Sequence, residues 1–151
     1  MSKQRPIYET AAHRLEERNI ALQAADAWGL EARKLPSKYC LDYALLKGAE
    51  LRAMAEVKHR PQWGLESFDR AGGYMLSLHK WVWARAYCGE AGCAFLILLK
   101  CADGLCWANF TERPSGVRAG FFNGNNLPRD DDDKEPVLYL PASSFRVLIP
   151  A

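Results

Sequence analysis

Two carboxylates and a lysine are the residues of this sequence best suited to chemistry. Asp42 lies within an apolar segment, and Glu56 and Lys58 follow on a stretch of alternating polar and apolar residues. Carboxylate oxygens suit Mg²⁺, which keeps several waters and takes further ligands from a substrate's phosphate. A lysine beside such an ion can position water and neutralise charge developing on the phosphate. These residue types favour metal-assisted hydrolysis of a phosphodiester, although Glu-x-Lys on a strand is also common on solvated faces.

A predicted β-hairpin carries all three residues. We expect a strand over residues 39–46, a turn at 47–49 and a second strand over 50–58. Side chains two positions apart on a strand share a face, so Glu56 and Lys58 point the same way. An unpaired carboxylate is costly in the middle of an apolar strand, so the position of Asp42 favours a functional site over a solvated face.

The hairpin loop decides whether the carboxylates meet. With a three-residue loop, Leu46 pairs with Glu50 and Asp42 lies opposite Met54, one diagonal step from Glu56. A two-residue loop would reverse the parity and put the two carboxylates on opposite faces.

The remaining pattern predicts alternating helices and strands. We expect helices over residues 7–27 and 67–87, the second with a weak point at Gly72-Gly73 that suggests close backbone packing. Further strands are predicted at 93–100, 105–110, 117–122, 137–140 and 145–149. This order predicts an α/β or α+β sandwich with a mixed sheet.

Composition and charge limit the class of protein. The 151 residues are 49% hydrophobic and 25% charged, enough for one core and one domain, with no segment that could span a membrane and no apolar signal core. We therefore expect a soluble intracellular protein. Its net charge of +2 combines an acidic stretch at 130–133 with 17 basic and 13 acidic residues in the first 128, which permits a polyanionic partner.

Five cysteines indicate a reducing compartment rather than a disulfide framework. Cys88 and Cys93, and Cys101 and Cys106, have spacings that resemble two metal knuckles. The strand predicted between the pairs would hold them roughly 25 Å apart. We therefore interpret these cysteines as small apolar residues rather than zinc ligands.

The hairpin residues resemble the motif of the PD-(D/E)XK nuclease superfamily. The similarity rests on Tyr39-Cys-Leu-Asp42, a glycine turn and Ala55-Glu56-Val57-Lys58, between two helices, over about residues 7–110. It implies a restriction-endonuclease-like fold with core order αβββαβ, residues 31–35 supplying the first strand. Residues 111–151 would form a C-terminal extension of small strands with an acidic loop at 130–134, within one domain over 1–151. Leu41 stands where the superfamily name has proline.

The resemblance also implies a role for each matching residue. Asp42 and Glu56, with the backbone carbonyl of Val57, would bind Mg²⁺ or Mn²⁺, and Lys58 would be the catalytic lysine. Glu9, early in the first helix, would complete the site. Candidates for DNA contact are His59, Arg60, Gln62 and Lys80. Aromatic residues could also stack on bases, although aromatics on a helix more often belong to the core. These are Trp63, Phe68, Tyr74, Trp81 and Trp83.

The implied function is that of a divalent-metal-dependent DNA endonuclease. Similar proteins include small phage-encoded nucleases and archaeal Holliday-junction resolvases, so phage DNA processing in the host-cell cytoplasm and junction resolution are the expected settings. Resolving a junction requires two active sites, hence a homodimer. The alternative is a non-catalytic module on the same fold that binds nucleic acid or a protein, and intact Asp42, Glu56 and Lys58 favour the enzyme.

Overall fold

The computed structural model describes residues 10–122 and 135–151, so Glu9 and the acidic loop 130–134 lie outside the described residues. Within residues 10–122 and 135–151, every helix is too short or too polar to span a lipid bilayer. The elements follow in the order α1 (Ala11–Trp28), β1 (Glu31–Lys34), β2 (Tyr43–Lys47), β3 (Glu50–Arg60), α2 (Leu65–Arg70), β4 (Tyr74–Ser77), α3 (Leu78–Ala91), β5 (Ala94–Cys101), β6 (Gly104–Asn109), β7 (Arg118–Phe122), β8 (Glu135–Leu140) and β9 (Arg146–Pro150).

Six strands form a mixed central sheet in the order β1-β2-β3-β5-β6-β9. Only β3 and β5 pair in parallel among its described strand pairs, because α3 makes the crossover between them. A second sheet of three strands, β4-β8-β7, is antiparallel. The predicted mixed α+β architecture with flanking helices is confirmed.

Helix α1 covers one face of the central sheet. Its N-cap is Thr10, whose hydroxyl accepts a hydrogen bond from the backbone N–H of His13 at 3.1 Å, and it ends at Gly29 with φ 66°. The buried side of the helix consists of small or branched residues that allow close approach to the strands. These are Ile20, Ala21, Ala24 and Ala25.

The opposite face of the central sheet packs against α3 and the second sheet. Strand β5 shows the division: Leu96 and Leu98 contribute to the cluster that includes α1, whereas Phe95, Ile97 and Leu99 join Trp81 of α3. This strand is buried on both sides, which explains its continuous apolar run. The two cysteine pairs lie at opposite ends of β5 as predicted.

The helix predicted over residues 67–87 is wrong, because it is interrupted. The chain leaves α2 at Arg70, passes through Gly72 at φ 98° and Gly73 at φ 125°, and forms β4 before α3 begins. Such backbone angles are open to glycine and strained for other residues. The interruption inserts α2 and β4 into the expected αβββαβ order and supplies an edge of the second sheet.

Alanine at Gly73 is expected to lower the free energy of unfolding by about 3 kcal/mol. A β-carbon there would lie 2.5 Å from the backbone oxygen of Leu140, in addition to the strain of the positive φ. Urea unfolding would measure the loss. The matched control is Gly89→Ala within α3, where a β-carbon meets nothing within 4 Å and better helix propensity should stabilise slightly. A Gly73→Ala protein as stable as wild type would contradict the account.

The register of the β2–β3 hairpin differs from the predicted one, yet Asp42 and Glu56 are still in phase. Lys47 pairs with Glu50 across a two-residue turn, not a three-residue one, and Leu46 pairs with Leu51. A bulge then shifts the register, so that Leu45 pairs with Ala53, leaving Arg52 as the extra residue.

The bulge restores the parity that the short turn reverses. Ala44, not Asp42, lies opposite Met54, and Tyr43 lies opposite Ala55. Beyond the bulge, even-numbered residues of the two strands therefore lie on the same face of the sheet. Asp42 directly precedes Tyr43, the first residue of β2, and its backbone N–H donates to the backbone oxygen of Ala55 at 3.0 Å.

Candidate active site

Asp42 is held against β3 by its side chain. The backbone N–H of Val57 donates to its Oδ2 at 2.8 Å, and Nζ of Lys34 lies 3.7 Å from its Oδ1. The carboxylate of Asp42 thus has partners from both β3 and β1.

Glu56 is the most deeply buried charged group of this region. Its side chain is 0% exposed, and its Oε1 lies 2.6 Å from Nζ of Lys80 and 3.2 Å from Nζ of Lys58. Lys58 comes from the same strand face, whereas Lys80 reaches in from the first turn of α3. Two lysines from different elements thus hold one carboxylate where the central sheet meets α3.

Charge and burial act on the two carboxylates in opposite directions. Burial, and then the charge of Glu56, raise the pKa of Asp42 to about 6 despite the opposing effect of Lys80 and of the Val57 hydrogen bond. Burial alone would raise the pKa of Glu56 as well, but Lys80 and Lys58 outweigh it and hold that pKa below its usual value. At neutral pH Glu56 is a firmly charged carboxylate beside a less acidic Asp42.

Lys80 is tied to this pair. Burial would lower the pKa of its ammonium group, yet the charges of Glu56 and Asp42 raise it. The side chain of Lys80 is 29% exposed, and its ammonium group makes its shortest contact with Glu56. Lys80 is therefore an integral part of the carboxylate site.

Two clefts open onto these residues. A first cleft of about 670 Å³ is lined by Asp42, Lys58 and Lys80 together with His13, Glu16 and Glu17 of α1. A second cleft of about 820 Å³ is lined by Glu56, Lys58, Lys80, Cys40, His79 and Met75. Lys58 and Lys80 belong to both, so the two lysines stand between the clefts.

The donor set of this site fits a hard divalent cation. Oε2 of Glu56 is buried and has no hydrogen-bond partner within residues 10–122 and 135–151. Burial is the larger cause of the raised pKa of Asp42, and the repulsion from Glu56 that adds to it would be relieved by a cation near both carboxylates. No group of three His, Cys, Asp or Glu side chains arranged to hold a metal occurs in those ranges, so protein ligands there are few. Mg²⁺ commonly binds through one or two carboxylates plus water.

The predicted DNA-contact residues are spread around the clefts. His59 lies at the first cleft with its Nδ1 4.0 Å from Oε2 of Glu16, and Arg60 lines both clefts. Gln62 is exposed in the turn after β3 and lines neither of the two. Of the aromatics, Trp63 and Trp83 are exposed, whereas Tyr74 and Trp81 are buried.

Sequence reasoning missed the acidic side of α1 that faces the first cleft. His13, Glu16 and Glu17 all line it, with Glu17 half-buried. Their i, i+3, i+4 spacing puts them on one helix face, which is the signal that could have found them. Glu9, the helix carboxylate predicted instead, lies outside the described residues.

Buried Tyr74 also borders the site, and no pattern in the sequence predicts this position. Burial, and then the charge of Glu56, raise the pKa of its phenol well above the usual value. Its hydroxyl has no hydrogen-bond partner in the described part of the chain. Tyr74 therefore contributes an uncharged wall near Glu56.

The order of elements and the placement of the charged residues define a class of protein. A helix precedes three consecutive antiparallel strands, a second helix makes the crossover, and a parallel strand follows, with Asp42 before β2 and Glu56-x-Lys58 on β3. This is the arrangement of the PD-(D/E)XK nuclease superfamily. The family model described as "Phage putative PDDEXK endonuclease" matches residues 3–148, and the chain belongs to this family. No curated protein matches the chain.

Proposed function

We propose that this protein is a divalent-metal-dependent endonuclease that hydrolyses phosphodiester bonds of DNA. The observation that carries the proposal is Glu56, a fully buried carboxylate kept charged by Lys58 and Lys80 beside Asp42. A carboxylate is costly to keep charged at this depth, and buried charged groups of this kind cluster at functional sites. The family match supports the same class of activity.

Asp42 and Glu56, with the backbone carbonyl of Val57, would hold Mg²⁺ or Mn²⁺. Bound there, the ion would polarise a phosphoryl oxygen and lower the pKa of a bound water. Glu17 lines the first cleft with Asp42, which makes it a further candidate for an outer carboxylate alongside the originally expected Glu9.

Lys58 and Lys80 would have different roles in the site. Lys58 is 31% exposed and lines both clefts, so its ammonium group can reach a phosphate and orient water on it. Lys80 lies closer to Glu56 and would chiefly keep that carboxylate ionised. His59, Arg60 and Gln62, on the strand end and the following turn, would contact the DNA backbone.

The biological setting is part of the proposal and is supported by the phage description of the matching family model. We place the enzyme in phage DNA processing within the host-cell cytoplasm, with branched DNA such as a Holliday junction among its substrates. A junction resolvase cuts two strands, so this role calls for a homodimer that presents two such sites.

Alanine at Lys58 is expected to reduce cleavage by at least about a hundredfold, because it removes the cation nearest the reacting phosphate. Purified protein with Mg²⁺ or Mn²⁺ would be tested on linear duplex, single-stranded and four-way-junction DNA. Glu56→Gln should be at least as inactive. Lys47→Ala, an exposed lysine at the far end of the hairpin, is the control and should cleave like wild type.

Equal cleavage by wild type, Lys58→Ala and Glu56→Gln would refute the catalytic proposal. Binding of DNA by wild type without any metal-dependent cleavage would instead assign the fold to a non-catalytic module.

A further inference from the structure

A column of aromatic side chains runs along α3 away from the candidate active site. The ring of His79 meets the edge of Trp83 at a centroid distance of 6.0 Å, and Trp83 stacks on Tyr87 at 5.1 Å with an interplanar angle of 23°. Tyr39, from the segment before β2, adds a fourth ring 5.8 Å from Tyr87. We call these four residues the aromatic column.

The column begins at the active-site cleft. His79 lines the second cleft together with Glu56 and Lys80. Because His79, Trp83 and Tyr87 recur every four residues, they follow one face of α3 over about 12 Å. The column is therefore continuous with the site proposed to hold the scissile phosphate.

The rings of the column are accessible in a way that the core aromatics are not. Trp83 is 41% exposed, whereas Trp81, two residues earlier, is 9% exposed and packs in the core. Val82 beside it is exposed too. A cluster of rigid, partly exposed rings on a helix surface is typical of a binding surface.

Positive charge stands at both ends of the column. Nζ of Lys38 lies 5.1 Å from the ring centroid of Tyr39 at the outer end. Lys58, Lys80 and Arg60 line the cleft at the inner end. Aromatic faces between cations match a strand of nucleic acid, whose phosphates seek the cations while its bases stack on the rings. Bases within a duplex are already stacked on each other, so only unpaired bases can use such a surface.

We propose that the aromatic column binds unpaired bases of the DNA substrate, so that the enzyme acts on DNA with a single-stranded segment next to the bond it cuts. The proposal rests on the proposed endonuclease function for the identity of the strand in the cleft. It adds a substrate class, single-stranded or flapped DNA, and the residues that select it.

Alanine at Trp83 is expected to weaken single-strand binding by about tenfold, from the loss of one stacking platform. The measurement is fluorescence anisotropy of a labelled oligo(dT) and of a blunt duplex of equal length, both in EDTA so that nothing is cut. Duplex affinity should change less than about twofold. Trp83→Phe should retain most single-strand affinity, and Val82→Ala, an exposed apolar neighbour, should retain all of it.

Four results would overturn the assignment. Wild type that does not bind oligo(dT), or Trp83→Ala that binds it as wild type does, removes the column as a base platform. An equal loss on oligo(dT) and duplex, accompanied by a lower melting temperature, would show that the rings only pack Tyr39 onto α3. Dimerisation in sedimentation that Trp83→Ala abolishes would assign the surface to a second copy of the chain.

The same experiment separates this inference from the proposed function. Lys58→Ala should fail to cleave with Mg²⁺ and, in EDTA, weaken oligo(dT) and duplex binding by the same factor, since it removes a cation for phosphate and leaves every ring of the column in place. Trp83→Ala should cleave blunt duplex normally, if wild type does, and lose activity on flapped DNA. Single-strand binding by an inactive wild type would leave the column standing and refute the endonuclease.

Discussion

Methionine at Lys80 is expected to lower the free energy of unfolding by about 3 kcal/mol near neutral pH. Methionine keeps the apolar stem of the side chain and removes the ammonium group 2.6 Å from Oε1 of Glu56. Glu56 would then be a fully buried charge with one partner, Lys58, instead of two. Removing one partner of a buried ion pair lowers the free energy of unfolding far more than replacing both partners by apolar residues, because it leaves a buried charge uncompensated.

The loss at Lys80 should depend on pH with a defined sign. In wild type the pKa of Glu56 is held below its usual value, so its contribution to stability is present above about pH 4.5 and lost as the pH falls. Without Lys80, burial dominates and the carboxyl gains stability by taking up a proton. The difference between Lys80→Met and wild type should therefore be largest near about pH 7 and shrink near about pH 4.

Guanidinium unfolding at both pH values would measure this difference, with Lys47→Met as the control for losing a lysine at an exposed position. A Lys80→Met protein as stable as wild type at neutral pH would show that Glu56 does not depend on Lys80.

Asparagine at Asp42 is expected to raise the free energy of unfolding by about 1–3 kcal/mol near pH 8 in EDTA, from a pKa raised to about 6 against an ordinary 3.8. The amide oxygen can still accept the Val57 N–H, and the repulsion from Glu56 disappears. The site would thus gain stability by losing a group that we propose for metal binding. Such a trade-off is characteristic of functional carboxylates.

The sign of the Asp42 effect is opposite to that of Glu56. The folded protein binds a proton at Asp42 more tightly than the unfolded chain does, so wild-type stability falls as pH rises from about 4 to about 6 and stays lower above. The advantage of Asp42→Asn should appear across that window and vanish near about pH 4.

Chemical denaturation at a series of pH values tests this, with Glu112→Gln as an exposed control. Added Mg²⁺ should raise the melting temperature of wild type and not of Asp42→Asn. A destabilised Asp42→Asn protein at pH 8 in EDTA would contradict the account.

Much of the fold was predictable because its elements carry strong local signals. The alternation of Leu51, Ala53, Ala55 and Val57 predicts β3, and Gly29 predicts the end of α1; both are confirmed. The sequence predicts only a weak point at Gly72-Gly73, because apolar positions on both sides of it continue a helical spacing. The second sheet, which pairs β4 with β8 from some sixty residues later, outweighed that local pattern.

The candidate site was predictable in its residue types and less so in its contacts. Asp42, Glu56 and Lys58 could be singled out because carboxylates are costly in apolar strands. The ion pair between Lys80 and Glu56 joins residues 24 apart and depends on where α3 begins after β4. No spacing rule relates those positions, so the sequence predicts that Lys80 contacts phosphate and does not predict its contact with a carboxylate.

The bulge at Arg52 has a consequence for how this hairpin can change in length. The two-residue turn and the bulge together set which residues pair across the two strands. Deleting Arg52 would remove only the extra residue, because Leu46 would still pair with Leu51 and Leu45 with Ala53, so the two carboxylates would stay in phase. A residue added between Lys47 and Glu50 would lengthen the loop and leave the same ladder. An insertion or deletion within β2, by contrast, would reverse the phase while the bulge remains. Single length changes in this hairpin should therefore be tolerated at the turn and at Arg52, and in β2 only together with a compensating change.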